Sequence, residues 1–252
     1  MSESEPRTES DDVWDSGETY ESYVGRWSRV VAREFLTWLA IPSGARWLDV
    51  GCGTGALTQT ILALAKPAAV LGVDPSERYI AFAQRQIDDD RARFAIGDAR
   101  ALPVGEQSFD AAVSGLALNF VPAADHLSAV RGMVNAVLPG GTVAAYVWDY
   151  AGQMQFMRHF WDAAAVLDPA ARALDEGRRF PICRPEPLAA LFRAGALSDV
   201  VVRPIDIPTT FRDFDDYWSP FLGGQGPAPA YVASLTVDQQ ARLSARIRDG
   251  LP

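Results

Sequence analysis

The sequence predicts an α/β fold of the doubly wound, Rossmann-like type, with a parallel sheet between helices. Three observations predict it. Short β-type runs alternate with helix-type runs from residue 45 to residue 149, which is typical of βαβ units. A glycine-rich loop, "GCGTG", follows the first β-type run. The 252 residues, 48% of them apolar, are enough to fill one large core. A ligand site is therefore expected beyond the carboxyl ends of the strands, near the first of them.

The elements follow in order. Residues 28–39 repeat apolar side chains at helical spacing, and the turn sequence "IPSGA" ends that helix. Strands are then predicted at residues 45–50, 68–74, 92–98, 109–116 and 141–149. Helices are predicted between them, at residues 55–66, 76–87 and 124–138. Because consecutive parallel strands need such crossovers, the five strands form one sheet.

The pattern changes after residue 150. Helices are predicted at residues 153–167, 185–196, 211–222 and 236–250, a sixth strand at 198–207 and a Gly/Pro loop at 223–230. We expect residues 1–15, which are rich in Ser, Glu and Asp, to form a disordered tail. One domain would then span residues 16–252. Its core would comprise residues 28–149 and 185–210, with helical cap segments at 150–184 and 211–252.

Charge and composition limit the possible partners. The formal charge is -9, the sequence pI is near 4.7, and no Lys/Arg cluster occurs, so a nucleic acid or an anionic membrane is not expected as a partner. The two cysteines, Cys52 and Cys183, lie far apart and have no ligand-like spacing. Neither a disulfide framework nor a metal site is predicted, and a reducing cytoplasm is the expected location. A secretory leader and a membrane span are not expected either.

The loop itself fits more than one ligand. Gly51, Gly53 and Gly55 let the backbone turn sharply and approach a ligand, and the helix that follows offers its first N–H groups. Gly51, Gly53 and Ala56 also satisfy the dinucleotide fingerprint. Asp74 ends the second strand, where a carboxylate can accept both ribose hydroxyls of an adenosine ligand. The loop and Asp74 alone therefore leave a nicotinamide cofactor and other adenosine ligands open.

Three further features separate these ligands: the sequence "GDA" at residues 97–99, "LPGG" at residues 138–141, and the acidic Asp49 just before the glycines. Together with the "LDVGCGTG" loop they resemble the class I S-adenosylmethionine-dependent methyltransferases. The resemblance covers about Tyr20 to Asp149 and is much weaker beyond. It implies that S-adenosylmethionine is the cofactor.

The resemblance also implies a role for individual residues. The backbone from Gly51 to Gly55 would hold the methionine part of the cofactor, and Asp49 would bind its amino group, directly or through water. Asp74 would take the ribose hydroxyls, and Ser114 with Gly115 would lie beneath the methionine chain.

At the adenine end, Asp98 would accept the exocyclic amine and the Ala99 N–H would reach a ring nitrogen. Pro75 and Leu102 are candidates to sandwich the ring. In the N-terminal segment that folds over the cofactor in the family, the matching lid residues are Tyr23 and Arg26, with Arg26 a partner for the methionine carboxylate.

The acceptor side is less defined. Relatives often carry a histidine after the fourth strand, where this chain has Asn119, and an amide is no base at neutral pH. Asp149 and His159 are the remaining candidates for a base. An aromatic and thioether-rich set is predicted either to line an apolar acceptor pocket or to form core: Tyr146, Trp148, Tyr150, Met154, Met157, Trp161, Phe211 and Trp218.

The family sheet usually has a seventh strand, and no β-type run follows Ile207. We therefore expect the native chain to continue past Pro252.

Methyl transfer from S-adenosylmethionine to a small, apolar or aromatic acceptor is the predicted function. Three alternatives remain at this point: a non-catalytic cofactor-binding regulator, a nicotinamide-dependent reductase, and a relative that performs a different sulfonium reaction. The oligomeric state is not predicted.

Overall fold

The computed structural model describes residues 26–223 and 226–252, without the side chain of Arg26. The chain separates into two compact units. In its described part, the sheet unit consists of residues 26–149 and 181–208, and the helical unit consists of residues 150–180, 209–223 and 226–252.

The sheet has five strands, and all of its pairings are parallel. The strands are β1 (Arg46–Val50), β2 (Ala69–Asp74), β3 (Ala92–Ile96), β4 (Phe109–Gly115) and β5 (Val137–Tyr146). Their spatial order is β3-β2-β1-β4-β5. The chain reverses its direction of travel across the sheet after β3, so the switch point lies between β1 and β4. The predicted fold class is confirmed.

Helices cover much of the remaining described chain. They are α1 (Arg26–Leu39), α2 (Ala56–Leu64), α3 (Glu77–Gln86), α4 (His126–Ala136), α5 (Gln155–Leu167), α6 (Glu176–Arg179), α7 (Pro185–Ala194), α8 (Phe214–Trp218), α9 (Pro227–Ser234) and α10 (Val237–Gly250). Several begin at side-chain caps. Ser76 accepts the Tyr79 N–H at the start of α3, and Thr236 and Gln239 form a reciprocal capping box at the start of α10.

Both faces of the central strands are covered by apolar side chains. On one face Trp47 of β1 packs with Phe35 of α1 and Ile61 of α2, all of them at most 1% exposed. On the other face Leu48 packs with Met133 of α4. Burial on both faces is the usual condition of parallel strands. It fixes the carboxyl end of β1, where the glycine loop begins.

The core of the helical unit is aromatic. Phe160 stacks on Phe221 with ring centroids 4.5 Å apart, and Phe156 stacks on Phe221 at 4.8 Å. Leu243 and Ile247 of α10 are buried as well. Aromatic pairs at these distances add stability beyond the area that they bury.

Two sequence predictions are wrong. Residues 198–207, predicted as a sixth strand, have no ladder partner, although Ile205 and Ile207 do pack on the sheet core. Apolar and polar residues do alternate in this segment, but a strand also needs a neighbouring strand to pair with. Pro204 lacks a backbone N–H and so removes one hydrogen-bond donor from such a pairing. Part of the predicted Gly/Pro loop is α9, because its prolines occupy the first helical turn, where the lost N–H costs nothing.

Candidate cofactor-binding site

The glycine loop joins β1 to α2 through three glycines in the left-handed region, with φ of 73° at Gly51, 53° at Gly53 and 88° at Gly55. A Cβ on Gly51 would lie 2.4 Å from the Cβ of Ala117, which follows β4. A Cβ on Gly53 would meet nothing within 4 Å. Gly51 is therefore required by both conformation and packing, whereas Gly53 faces open space, as a position that accepts a ligand would.

The N–H groups of these glycines already have acceptors. The Gly51 N–H donates to the Val73 carbonyl at 2.7 Å, and that of Gly55 to the Cys52 carbonyl at 2.8 Å. The N–H of Gly53 donates to the Asp74 carboxylate at 2.9 Å. These bonds hold the loop in shape. What the glycines offer a ligand in this conformation is close access, free of side chains.

Asp49 is the fully buried acid of the site. It is 0% exposed, and its Oδ2 accepts the Thr58 hydroxyl at 2.7 Å. Its Oδ1 is buried and has no hydrogen-bond partner in the part of the chain that the structure describes. Burial, with a smaller contribution from the nearby charge of Asp74, raises its pKa to about 7. A cation that reached Oδ1 would satisfy this oxygen and lower the pKa again.

Asp74 at the end of β2 is bound to the backbone. Its Oδ1 accepts the Ser76 N–H and its Oδ2 accepts the Gly53 N–H, both at 2.9 Å. Burial raises its pKa, and the two backbone bonds oppose that shift. A carboxylate offers about four acceptor positions, so each oxygen can still accept a ligand hydroxyl.

Asp98 is more exposed and is already paired. The Arg100 Nε donates to Oδ1 at 2.9 Å and to Oδ2 at 3.0 Å, and Arg100 also reaches Asp125. The Arg100 guanidinium holds the pKa of Asp98 below its ordinary value. Among the neighbouring candidates, Ala99 and Leu102 pack against the sheet core, and Pro75 is exposed after β2.

Ser114 and Gly115 end β4 beside Ala145 and Tyr146 of β5. Ser114 is 2% exposed. A Cβ on Gly115 would lie 2.5 Å from the Tyr146 Oη, so the absence of a side chain there makes room for the tyrosine. Tyr146 itself packs on Phe35 with ring centroids 4.7 Å apart. Tyr146 is therefore a core residue.

The three candidates for the acceptor side lie in different places. Asn119 and Asp149 belong to the sheet unit and His159 to the helical unit. Asn119 is 3% exposed, and within residues 26–223 and 226–252 neither of its polar side-chain atoms has a hydrogen-bond partner. Asp149 follows β5, and together with burial its charge raises the pKa of the Cys183 thiol to about 12. His159 lines a cavity of about 620 Å³ with Arg158 and Asp162.

The lid prediction is only partly covered by the structure. Tyr23 lies outside the described residues, and so does the side chain of Arg26, whose backbone begins α1. Of the aromatic and thioether set, Met157 and Trp161 are at most 2% exposed within the helical unit. These two are core residues.

Three residues that the sequence analysis did not single out support the site. Thr58 holds Asp49, Arg100 holds Asp98, and Ala117 packs on Gly51. The Asp-x-Arg spacing of residues 98–100 was a visible signal for the second contact. The first and third join residues from separate elements, so no local pattern marks them.

The glycine loop after β1, the acid that ends β2 and the switch point between β1 and β4 define a Rossmann-like protein with a nucleoside-type site. The acids and glycines at this site are suited to bind S-adenosylmethionine, as one structural feature indicates. Asp49 Oδ1 is buried without a partner among the described residues, two positions before the glycine loop, and an ammonium group would supply the missing donor.

Known proteins agree with this class. A family described as "Methyltransferase domain" matches residues 48–141. A demethylmenaquinone methyltransferase of Roseiflexus sp. is 32% identical over 180 residues, which cover 67% of this chain and 74% of the relative. A 2-methyl-6-phytyl-1,4-hydroquinone methyltransferase of Synechocystis sp. is 28% identical over 189 residues, covering 74% of this chain and 57% of the relative.

Solved structures show the same fold. A crystal structure described as a methyltransferase from an antibiotic biosynthesis pathway of Anabaena variabilis aligns with a TM-score of 0.62 at 18% identity. The alignment covers 88% of this chain and 87% of that one. The chain belongs to the class I S-adenosylmethionine-dependent methyltransferase family. The predicted family is confirmed, and it replaces the nicotinamide-dependent reductase as the interpretation of the loop.

The described residues contain no helix long and apolar enough to cross a membrane.

Proposed function

We propose that the protein transfers the methyl group of S-adenosylmethionine to a small aromatic acceptor of the hydroquinone class. The observation that carries the cofactor half is the unpartnered Oδ1 of the fully buried Asp49. Two relatives of this chain, one named for demethylmenaquinone and one for a 1,4-hydroquinone, support the acceptor half.

Each acid at the site has one role in this proposal. Asp49 holds the amino group through Oδ1 while Thr58 fixes its other oxygen. Asp74 receives the ribose hydroxyls in positions set by its two backbone bonds. Asp98, oriented by Arg100, accepts the exocyclic amine of adenine. Pro75 follows Asp74 and Ala99 follows Asp98 directly, and Leu102 lies four residues after Asp98. These three are the proposed neighbours of the ring.

When bound, S-adenosylmethionine supplies an electrophilic methyl group on a positively charged sulfur. The residues then have to exclude water and align the acceptor with that methyl group. A fixed base is not required for an acceptor whose own hydroxyl ionises or whose ring carbon is electron-rich. Asn119, at the position where the family resemblance implies a histidine, is consistent with such an acceptor.

The acidic chain makes a small neutral acceptor a better partner than a nucleic acid. Free Cys52 and Cys183 are consistent with a reducing cytoplasm. Both statements belong to the proposal.

Calorimetric titration with S-adenosylhomocysteine tests the cofactor half. We expect micromolar affinity in the wild type and a loss of about tenfold in Asp74→Ala, the worth of hydrogen bonds to a charged acceptor. Asp110→Ala is the matched control, because Asp110 lies near the amino end of β4, where it accepts the Arg46 N–H at 2.7 Å. Equal losses in the two variants, or tighter binding of NADH, would contradict the assignment.

A further inference from the structure

The side chain of Asn119 is a buried amide. It is 3% exposed, and neither Oδ1 nor Nδ2 has a hydrogen-bond partner among the described residues. In the described part of the chain it is alone in leaving two buried side-chain atoms unpartnered. Buried polar groups are nearly always paired, and an unpaired one calls for an explanation. A ligand that supplies the missing partners is one.

The position of Asn119 associates it with the candidate site. It lies in a short 3-10 turn, Leu118–Phe120, that directly follows β4. Ala117, two residues earlier, is the residue that packs on Gly51 of the glycine loop. The turn therefore lies at the carboxyl edge of the sheet, next to the glycine loop. Carboxyl edges at a switch point are where ligands of this fold bind.

Among the described residues, no donor or acceptor forms a hydrogen bond with either atom of the amide. Leu118, adjacent in the turn, belongs to an apolar cluster with Val130 of α4 and Phe192 of α7. A buried amide without a partner has lost its hydration without compensation. Proteins accept such a cost in stability mainly at functional sites, where a ligand restores the missing hydrogen bonds.

The amide also restricts the chemistry of its partner. Nδ2 donates and Oδ1 accepts, so one ligand group satisfies both atoms only if it can accept and donate at once. A neutral hydroxyl does so. An ether or a ketone oxygen leaves Oδ1 unpaired, and a carboxylate would face Oδ1 with a second acceptor.

We infer that Asn119 recognises the methyl acceptor by exchanging two hydrogen bonds with one of its neutral hydroxyl groups. This inference rests on the proposed function and adds a selectivity to it. The enzyme distinguishes a hydroquinone from its ether or its oxidised quinone because only the hydroquinone satisfies both atoms of the amide. Asn119 takes no proton in this role.

The test uses the full chain saturated with S-adenosylhomocysteine. It is titrated under reducing conditions with 2-methylhydroquinone and, separately, with its dimethyl ether, 1,4-dimethoxy-2-methylbenzene. We expect the wild type to bind the diol about tenfold more tightly than the ether. In Asn119→Leu this preference should vanish, while the affinity for S-adenosylhomocysteine stays within about twofold of the wild type.

Stability provides a readout that a structural asparagine would not share. Removing both unpartnered atoms with a side chain of similar size should leave the Tm unchanged or raise it. Asn135→Leu is the matched control, because Asn135 is exposed on α4. It should keep the preference for the diol.

Several outcomes overturn the inference. They are equal binding of diol and ether by the wild type, no binding of either, a preference that survives in Asn119→Leu, and an Asn119→Leu variant that unfolds or melts well below the wild type. Failure of the wild type to bind S-adenosylhomocysteine would instead refute the proposed function, and the inference would fall with it.

Discussion

The two units differ in how their buried acids are paired, although in the described residues Asp74 of the sheet unit is paired and the Arg158 Nε of the helical unit has no partner. In the described part of the sheet unit, Asp49 Oδ1 and both polar side-chain atoms of Asn119 are buried and have no hydrogen-bond partner. In the helical unit the buried acids are engaged. Asp175 accepts two bonds from Arg158, at 2.7 and 3.0 Å, and Glu176 accepts the Trp161 indole N–H.

This difference indicates which buried polar groups serve ligand binding and which serve the stability of the fold. A satisfied buried network stabilises and fixes its own fold, whereas an unsatisfied one costs stability until a ligand completes it. We therefore expect substitutions in the helical network to change unfolding, and substitutions at the unpartnered atoms of the sheet unit to change ligand binding. Four predictions are ordered from the largest expected effect to the smallest. The first concerns the packing of the glycine loop, and the other three test that division.

Gly51→Ala should have the largest effect. Its Cβ would lie 2.4 Å from that of Ala117, at a φ of 73°. Strain and overpacking together should lower the free energy of unfolding by about 3 kcal/mol, measured by urea denaturation. Gly53→Ala is the control, because its Cβ would meet nothing within 4 Å. It should lose only the strain of its positive φ, about 1 kcal/mol. Equal losses would show that the loop yields at Ala117.

Glu176 should make the unfolding of the protein pH-dependent. Burial raises its pKa from an ordinary 4.5 to about 7. Because the folded pKa is raised, the stability that Glu176 contributes is fully present below pH 4.5 and is lost as the pH rises through about 7. The loss is of order 3 kcal/mol.

Glu176→Gln should remove this dependence, since a glutamine oxygen still accepts the Trp161 N–H but does not titrate. The variant should therefore gain stability relative to the wild type as the pH rises from 4.5 to 7, followed by denaturation at several pH values. Both proteins contain Asp49 and Asp74, so the contributions of these two acids cancel in the difference between the two free energies of unfolding. A constant difference across that range would refute the prediction.

Asp49 should make the affinity for the cofactor depend on pH. Its pKa is about 7 in the ligand-free protein, and only the ionised form attracts an ammonium group. As the pH falls below 7, the affinity for S-adenosylhomocysteine should therefore decrease, approaching tenfold per pH unit. Asp49→Asn should bind more weakly and without this slope. A slope that persists in Asp49→Asn would assign the titration to another group.

Arg248→Ala should have the smallest effect. The Arg248 Cζ lies 4.3 Å from the centroid of the Phe214 ring in the helical unit. An exposed contact of this kind contributes about 0.5 kcal/mol, measurable as a small decrease in Tm. Arg246→Ala, at an exposed position on the same helix, is the control and should be neutral. A change in cofactor affinity in either variant would break the division between the two units.

The local sequence pattern was sufficient to predict those structural features that depend on residues close together in the chain. The apolar runs of β1 and β2, the caps of α3 and α10, and the glycines that turn the loop are all fixed by residues within a few positions of one another. It failed at residues 198–207, where a strand-like alternation has no partner strand. It also missed α9, where prolines indicate a loop unless the helix is known to start at them.

The sequence by itself determined the fold class, the family and the positions of the candidate acids, because strand order and glycine spacing are local properties of the chain. Only the tertiary structure decided the state of each acid. The Thr58 hydroxyl donates to one oxygen of Asp49, and the Gly53 and Ser76 N–H groups donate to Asp74. The other oxygen of Asp49 and the amide of Asn119 have no partner among the described residues. Hydrogen bonding and burial depend on which elements meet in space, and no spacing along the chain encodes them.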